Sequence, residues 1–330
     1  MSADPSSFHA TDPHRQAMRD LAAHVNRHVV GQPRFVERLL VALLADGHIL
    51  LEGAPGLAKT RAVRTLAEAI DCDEQRIQFT PDLLPSDLTG TEVYRPERGD
   101  FEFHAGPLFH NLVLADEINR APAKVQAALL EAMAERQITV GGVTRPLPTL
   151  FMVLATQNPL EQEGTYPLPE AQLDRFLLHT TIGFPDLESE RAILHLAREE
   201  AAGASPEPFA PLSERTILDC RQAALVTHVS PALETYLLQL VFATRVPERW
   251  GDDLANTVAC GASPRGSIAL ERCARVHAWL AGRDFATPED ARAVVHDVLR
   301  HRIILSFEAE ADGVTKDALI DTLLERVPVS

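Results

Sequence analysis

Residues Leu50 to Thr60 read LLEGAPGLAKT. Gly53, Lys59 and Thr60 fit the spacing G-x-x-x-x-G-K-[ST], but Ala58 stands where the pattern has its second glycine. Gly53 directly follows an apolar strand, residues 48–52, and an amphipathic helix is expected to start at Lys59 or Thr60. In that context successive backbone N–H groups and the helix N-terminus present fixed positive potential to phosphate. The loop Gly53, Ala54, Pro55, Gly56, Leu57, Ala58 would cradle it. Lys59 would reach the β- and γ-phosphates, and the Thr60 hydroxyl would bind Mg²⁺. Ala58 keeps its N–H and is tolerable if the position has helical φ/ψ. Taken alone, the stretch is also compatible with a strand–turn–helix whose glycines serve only the turn.

Two later segments sharpen the reading. NLVLADEINR, Asn111 to Arg120, is an apolar strand ending in Asp116-Glu117, the layout of a Walker B segment. Asp116 would hold Mg²⁺ through water, and Glu117 would act as base on the attacking water. VLATQNP places Asn158 at the end of another strand, positioned to orient water beside the γ-phosphate.

Around these motifs, HILLEG, RIQFT, NLVLADE, TLFMVLATQN and FLLHTTI read as buried strands. Continuous apolar runs suit a parallel sheet covered on both faces. TRAVRTLAEAI and AKVQAALLEAMAE, with apolar positions three and four apart, read as helices between them. The alternation predicts an α/β fold, a parallel sheet sandwiched by helices, over residues 15–185. TEVYRPERGDFEFHAGPLF reads as a β-hairpin (about 91–107), and RQITVGGVTRPLP as another (about 137–147) turning at Gly141-Gly142. Residues 1–14 are expected as a disordered tail and 186–212 as a linker. Residues 213–330 are expected as a smaller all-helical domain, its helices started by Ser230-Pro231, Ser263-Pro264 and Thr287-Pro288. Thr287 with Asp290 resembles a capping box, and Gly282 is a good helix terminator.

Taken together, GAPGLAKT, DEINR, ATQNP, LPEAQLDRF and GASPRG, in that order over residues 15–328, resemble the MoxR family of AAA+ ATPases. Alanine before the P-loop lysine is usual in that family. The resemblance implies a P-loop NTPase core with a helical lid, ATP and Mg²⁺ as ligands, and a homo-oligomeric ring, commonly a hexamer, with the site at the subunit boundary. It implies that Arg175, in QLDRF, is an arginine finger reaching the neighbouring subunit's γ-phosphate, worth roughly 10³–10⁵ in rate. It implies that Arg265, in SPRG, is the sensor 2 arginine. Independently, an arginine in a helix's first turn sits at the wrong end of the macrodipole, so an anion is expected nearby. Gly31 and Gln32, in VVGQ, would lie near the adenine, and Arg120 would serve the subunit interface. The hairpins resemble the helix-2 insert and the pre-sensor-1 hairpin, which in related rings face the pore or the partner. Family members act like chaperones, often on partners with a von Willebrand factor A domain.

Composition narrows the alternatives. With 31 Lys and Arg against 47 Asp and Glu, the formal net charge is −16, and only 5% of residues are aromatic. Both oppose a nucleic-acid motor, which needs a basic face and stacking platforms. The most apolar segment, LLVALLADGHILL, is broken by Asp46, Gly47 and His48, so no membrane insertion is expected. Four scattered cysteines, Cys72, Cys220, Cys260 and Cys273, suit a reducing cytoplasm. A magnesium-chelatase-like motor subunit and a nucleotide-gated scaffold with little turnover stay open as alternatives.

Overall fold

The computed structural model describes residues 12–54, 56–158, 164–203 and 208–329. The five apolar runs pair in parallel in one sheet, in the order Glu74–Gln78, Leu112–Asp116, Met152–Gln157, Ile49–Gly53, Leu178–Ile182. Side chains alternate along a strand, so each run feeds both faces. Ile49, Leu51, Leu112, Leu114, Met152 and Leu154 join one buried cluster. Leu50, Val113, Ala115, Val153 and Ala155 join the other. Both faces are dry, which explains why these runs are continuously apolar.

Helices Pro13–His28, Pro33–Leu44 and Lys59–Ile70 supply the first cluster, and Ala123–Glu135 the second. Both expected hairpins form, Gly90–Arg95 with Asp100–Ala105 and Gln137–Val140 with Val143–Pro146. The second turns on Gly141 and Gly142, both at positive φ (60° and 79°), the backbone that a tight two-residue turn demands. Arg145 ties the two hairpins together, pairing with Glu92 at 3.7 Å and lying over the Phe103 ring.

In the C-terminal part, Ser230 and Ser263 cap their helices through side-chain oxygens, and Thr287 with Asp290 completes the capping box. Its apolar residues, Leu237, Val294 and Ile320 among them, continue the first cluster of the sheet. Buried Arg38 on helix Pro33–Leu44 pairs with buried Asp297 at 2.7 Å, fixing this part to the core.

Three expectations are corrected. The segment 186–212 is not simply a linker, because Leu187–Ala201 is helical. Asp186 accepts the Ser189 N–H and caps it, a start signal that the later Pro- and Gly-rich run obscures. The C-terminal part is not all helical, since Val258–Cys260 pairs antiparallel with Ile304–Leu305. Of the expected tail, residues 1–11 lie outside the described residues. Asp12 instead caps helix Pro13–His28 through the His14 N–H.

Candidate functional site

At the C-terminal edge of the sheet a cleft of about 520 Å³ is lined by Gly56, Leu57, Ala58, Lys59, Thr60, Arg61, Arg76, Gln78, Asp116, Glu117, Thr156, Asn158 and Ile193. The loop that frames it leaves the strand at Gly53. A Cβ there would stand 2.7 Å from the Ile182 carbonyl of the neighbouring strand, so glycine is required by close approach. Pro55 lies outside the described residues. The condition of helical φ/ψ set for Ala58 is not met: its φ of 57° and ψ of 18° lie in the left-handed region. The loop ends in a left-handed turn immediately before the helix, the conformation for which the usual glycine is suited. Alanine there costs about 1–2 kcal/mol of backbone strain. Its methyl packs against the first apolar cluster, which offsets part of that cost.

Helix Lys59–Ile70 starts at the cleft with no side-chain cap and no acid in its own first turn, so its leading N–H groups are not satisfied by a residue of the helix itself. Lys59 folds back to donate to the Gly53 carbonyl at 2.8 Å. Burial lowers its pKa, while the nearby Asp116 and Glu117 carboxylates pull it up.

Asp116 ends its strand with both oxygens engaged. Oδ1 accepts from Thr156 Oγ1 at 2.6 Å, and Oδ2 accepts from Arg76 Nη2 at 2.6 Å. Glu117 adopts the left-handed region, φ 59°, and its N–H donates to Thr156 Oγ1 at 2.9 Å. Its carboxylate accepts from Gln78 Nε2 at 2.7 Å and from Arg120 Nη1 at 3.0 Å. Arg120, expected to face a neighbouring subunit, is thus paired with Glu117 here. Asn158 lines the same cleft and is buried.

Thr60 and Asp116 offer hard oxygen donors to Mg²⁺. No group of three or more His, Cys, Asp or Glu able to hold a metal exists among the described residues. That donor set fits an ion completed by nucleotide phosphates and water, the common arrangement for Mg²⁺.

An adjoining apolar cleft of about 380 Å³ shares Gly56, Leu57, Ala58 and Arg61 with the first and adds Val30, Gln32, Phe184 and Leu194, with Ile193 common to both. Gln32 donates to the Gly183 carbonyl at 2.9 Å. Gly31 has φ 79°, and a Cβ there would stand 2.7 Å from Ser189 Cβ and 3.1 Å from Pro185 Cβ.

Arg175 and Arg265 come together elsewhere. They line a separate cleft of about 350 Å³ with Asp174, Arg272 and Arg302, sharing no residue with the Lys59 cleft. Arg175 donates to the Leu130 carbonyl at 2.6 Å. The anion that Arg265's position calls for is Asp174, at 3.5 Å.

The sequence motifs do not single out Arg76, Gln78 and Thr156. Arg76 and Gln78 alternate on Glu74–Gln78, with buried Ile77 facing the core between them. That alternation is visible in EQRIQ, but the pairing of Arg76 with Asp116 depends on strand order. Phe184, Ile193 and Leu194 are hidden in the expected linker and its approach.

This sheet order, loop and helical extension define a P-loop nucleotide-binding protein with a lid. Residues 48–178 match the model described as the ATPase family associated with various cellular activities (AAA), and residues 253–323 match the AAA lid domain. The Chaperone MoxR1 of Mycobacterium tuberculosis is 48% identical over 304 residues, 92% of this chain and 80% of its own length. Protein MoxR of Paracoccus denitrificans is 34% identical, covering 100% of this chain and 99% of the relative. A crystal structure from Cytophaga hutchinsonii superposes with TM-score 0.88 at 47% identity, covering 96% of each chain. The chain belongs to the MoxR family of AAA+ ATPases.

Proposed function

We propose that the chain hydrolyses ATP with Mg²⁺ as a subunit of a homo-oligomeric ring, a hexamer, and uses the cycle to remodel a protein client. The observation that carries this reading is the gathering of Lys59, Thr60, Asp116, Glu117 and Asn158 in one cleft, while Arg175 and Arg265 share a different one. Lys59 and the loop N–H groups would hold the β- and γ-phosphates. Thr60 and Asp116 would hold Mg²⁺, which when bound supplies charge neutralisation at the phosphates. Glu117 would take the proton of the attacking water, with Asn158 orienting it. Val30, Gly31, Gln32 and the apolar wall would receive adenine.

An arginine finger is of use only beside a γ-phosphate, and Arg175 lines a cleft that shares no residue with the phosphate-loop cleft of its own chain. That separation supports Arg175 and Arg265 acting on a neighbour's nucleotide. The names of the relatives support a chaperone-like role. A client with a von Willebrand factor A domain is the specific partner proposed. No described helix is long and apolar enough to cross a membrane.

The test is ATPase rate against protein concentration, for wild type beside Arg175→Ala. Specific activity should climb with concentration in wild type and stay flat in the variant, with ATP affinity of the monomer unchanged. Equal loss of rate on dilution in both would remove the finger assignment. A flat, negligible rate in both across assembly conditions would favour the nucleotide-gated scaffold.

A further inference from the structure

The nucleotide reading leaves Arg76 without a role. It stands on Glu74–Gln78, an edge strand of the sheet, and its side chain reaches into the phosphate cleft. Two of its N–H groups converge on one oxygen of Asp116, Nη2 at 2.6 Å and Nε at 3.2 Å. The other Asp116 oxygen is taken by Thr156. Nη2 also donates to Gln78 Oε1 at 3.0 Å, and Gln78 in turn donates to Glu117. One guanidinium therefore neutralises the carboxylate expected to serve the metal, and touches the group that holds the expected base.

We propose that Arg76 is a built-in competitor of the divalent cation for Asp116. The inference rests on the nucleotide reading of this cleft. A guanidinium seated on Asp116 and a divalent cation held to the same carboxylate through water repel each other, because like charges at short range in a partly buried site are weakly screened. Thr156, on the other oxygen, carries no charge and does not repel a cation, so Arg76 is the partner that a cation would displace. Its side chain is half exposed and its strand is at the sheet edge, which gives it solvent to move into. With a cation bound, Arg76 would leave Asp116, and Gln78 Oε1 would lose the N–H that Arg76 donates to it. Gln78 is then free to reorient, so metal loading is coupled to the hydrogen bonding of Glu117. Arg76 thereby sets how much Mg²⁺ the site requires.

The experiment titrates free Mg²⁺ against binding of a fluorescent ADP derivative by the full chain, in wild type, Arg76→Gln and Arg76→Lys. Binding in EDTA gives the metal-free baseline. In Arg76→Gln the free Mg²⁺ giving half of the metal-dependent gain should fall about tenfold, the equivalent of one charge-assisted hydrogen bond. Arg76→Lys keeps a charge but loses the fork, and should fall between the two. An unchanged requirement in Arg76→Gln overturns the proposal. A raised requirement also overturns it, making Arg76 a residue that orients the metal ligand. ADP binding by wild type that ignores Mg²⁺ overturns it while leaving nucleotide binding intact. No ADP binding by wild type removes the nucleotide reading and this proposal together. Should Arg76→Gln fail to fold, Arg76→Lys carries the same comparison in the same direction.

Discussion

Arg302 donates from Nε to Oδ1 of Asp174 at 2.9 Å, its side chain almost wholly buried where the helical part meets the sheet. The same guanidinium donates to the Phe176 carbonyl at 2.6 Å, and burial lowers its pKa. The second oxygen of Asp174 accepts from Ser263 Oγ at 2.9 Å and lies 3.5 Å from Arg265. One carboxylate thus ties the segment bearing Arg175 to the start of the helix bearing Arg265.

Removing Asp174 leaves Arg302 charged and unpaired in a buried position. Asp174→Ala should therefore cost about 3–5 kcal/mol in denaturant unfolding. Asp174→Asn, which keeps an acceptor, should cost less. A loss below about 1 kcal/mol in Asp174→Ala would show that the carbonyls alone satisfy Arg302.

Ala58 gives a prediction of opposite sign. Glycine at φ 57° relieves the left-handed strain but loses more entropy on folding. The relief of about 1–2 kcal/mol exceeds the entropic loss of about 0.5–1 kcal/mol. Ala58→Gly should raise stability by about 0.5–1 kcal/mol in thermal or denaturant unfolding. Destabilisation would mean that the methyl's packing outweighs the strain.

The contrast between Ala58 and the strands shows what the sequence makes legible. Leu112 to Ala115 is apolar at every position because both faces of its strand are covered, and that leaves a direct mark in composition. Backbone φ leaves no such mark at Ala58, since nothing in the residue type announces a left-handed turn. Arg76, Gln78 and Thr156 come to the Asp116-Glu117 pair from neighbouring strands. Their placement follows from register, Gln78 opposite Asp116 and Ala155 opposite Ala115, which no local pattern encodes. Helix Leu187–Ala201 has no buried residue, so the apolar periodicity that marks a packed helix carries little weight there. The motif residues themselves are legible because phosphate and metal chemistry dictates both their type and their spacing.

His277 makes stability depend on pH. Its Nδ1 lies 2.6 Å from Asp290 and its Nε2 3.1 Å from Glu37, with Arg283 on the far side of Asp290 and Arg38 beside Glu37. Hydrogen bonds donated to Asp290 first, then to Glu37, raise its pKa from 6.5 to about 9. A pKa raised by folding stabilises fully below the unfolded value, and that stability is lost as pH rises through the folded one. Stability should therefore fall between about pH 6.5 and 9. A folded pKa that stands one above the unfolded value is worth about 1.4 kcal/mol. His277→Gln should be less stable at pH 6 and lack most of that slope. Parallel pH profiles of unfolding free energy for the two proteins would show that His277 is not the group responsible.

Lys59 and Glu117 should separate binding from turnover. Lys59 is the cation of the phosphate loop, and its Nζ is held within the cleft by the Gly53 carbonyl. Lys59→Ala should weaken ATP binding by about tenfold or more, since a charge-assisted contact to phosphate is lost. Unchanged affinity by calorimetry would end the phosphate-loop assignment. Glu117→Gln keeps an acceptor for Gln78 Nε2 and Arg120 Nη1, the two donors now on its carboxylate. The left-handed backbone at this position is as open to glutamine as to glutamate. Binding should then stay within about threefold, while turnover falls by about 10²-fold or more as the proton acceptor is lost. Steady-state ATPase rates beside calorimetric affinities distinguish the cases. A variant that loses binding and turnover together would place Glu117 in nucleotide binding, and the water-activating role would pass to another group in the cleft.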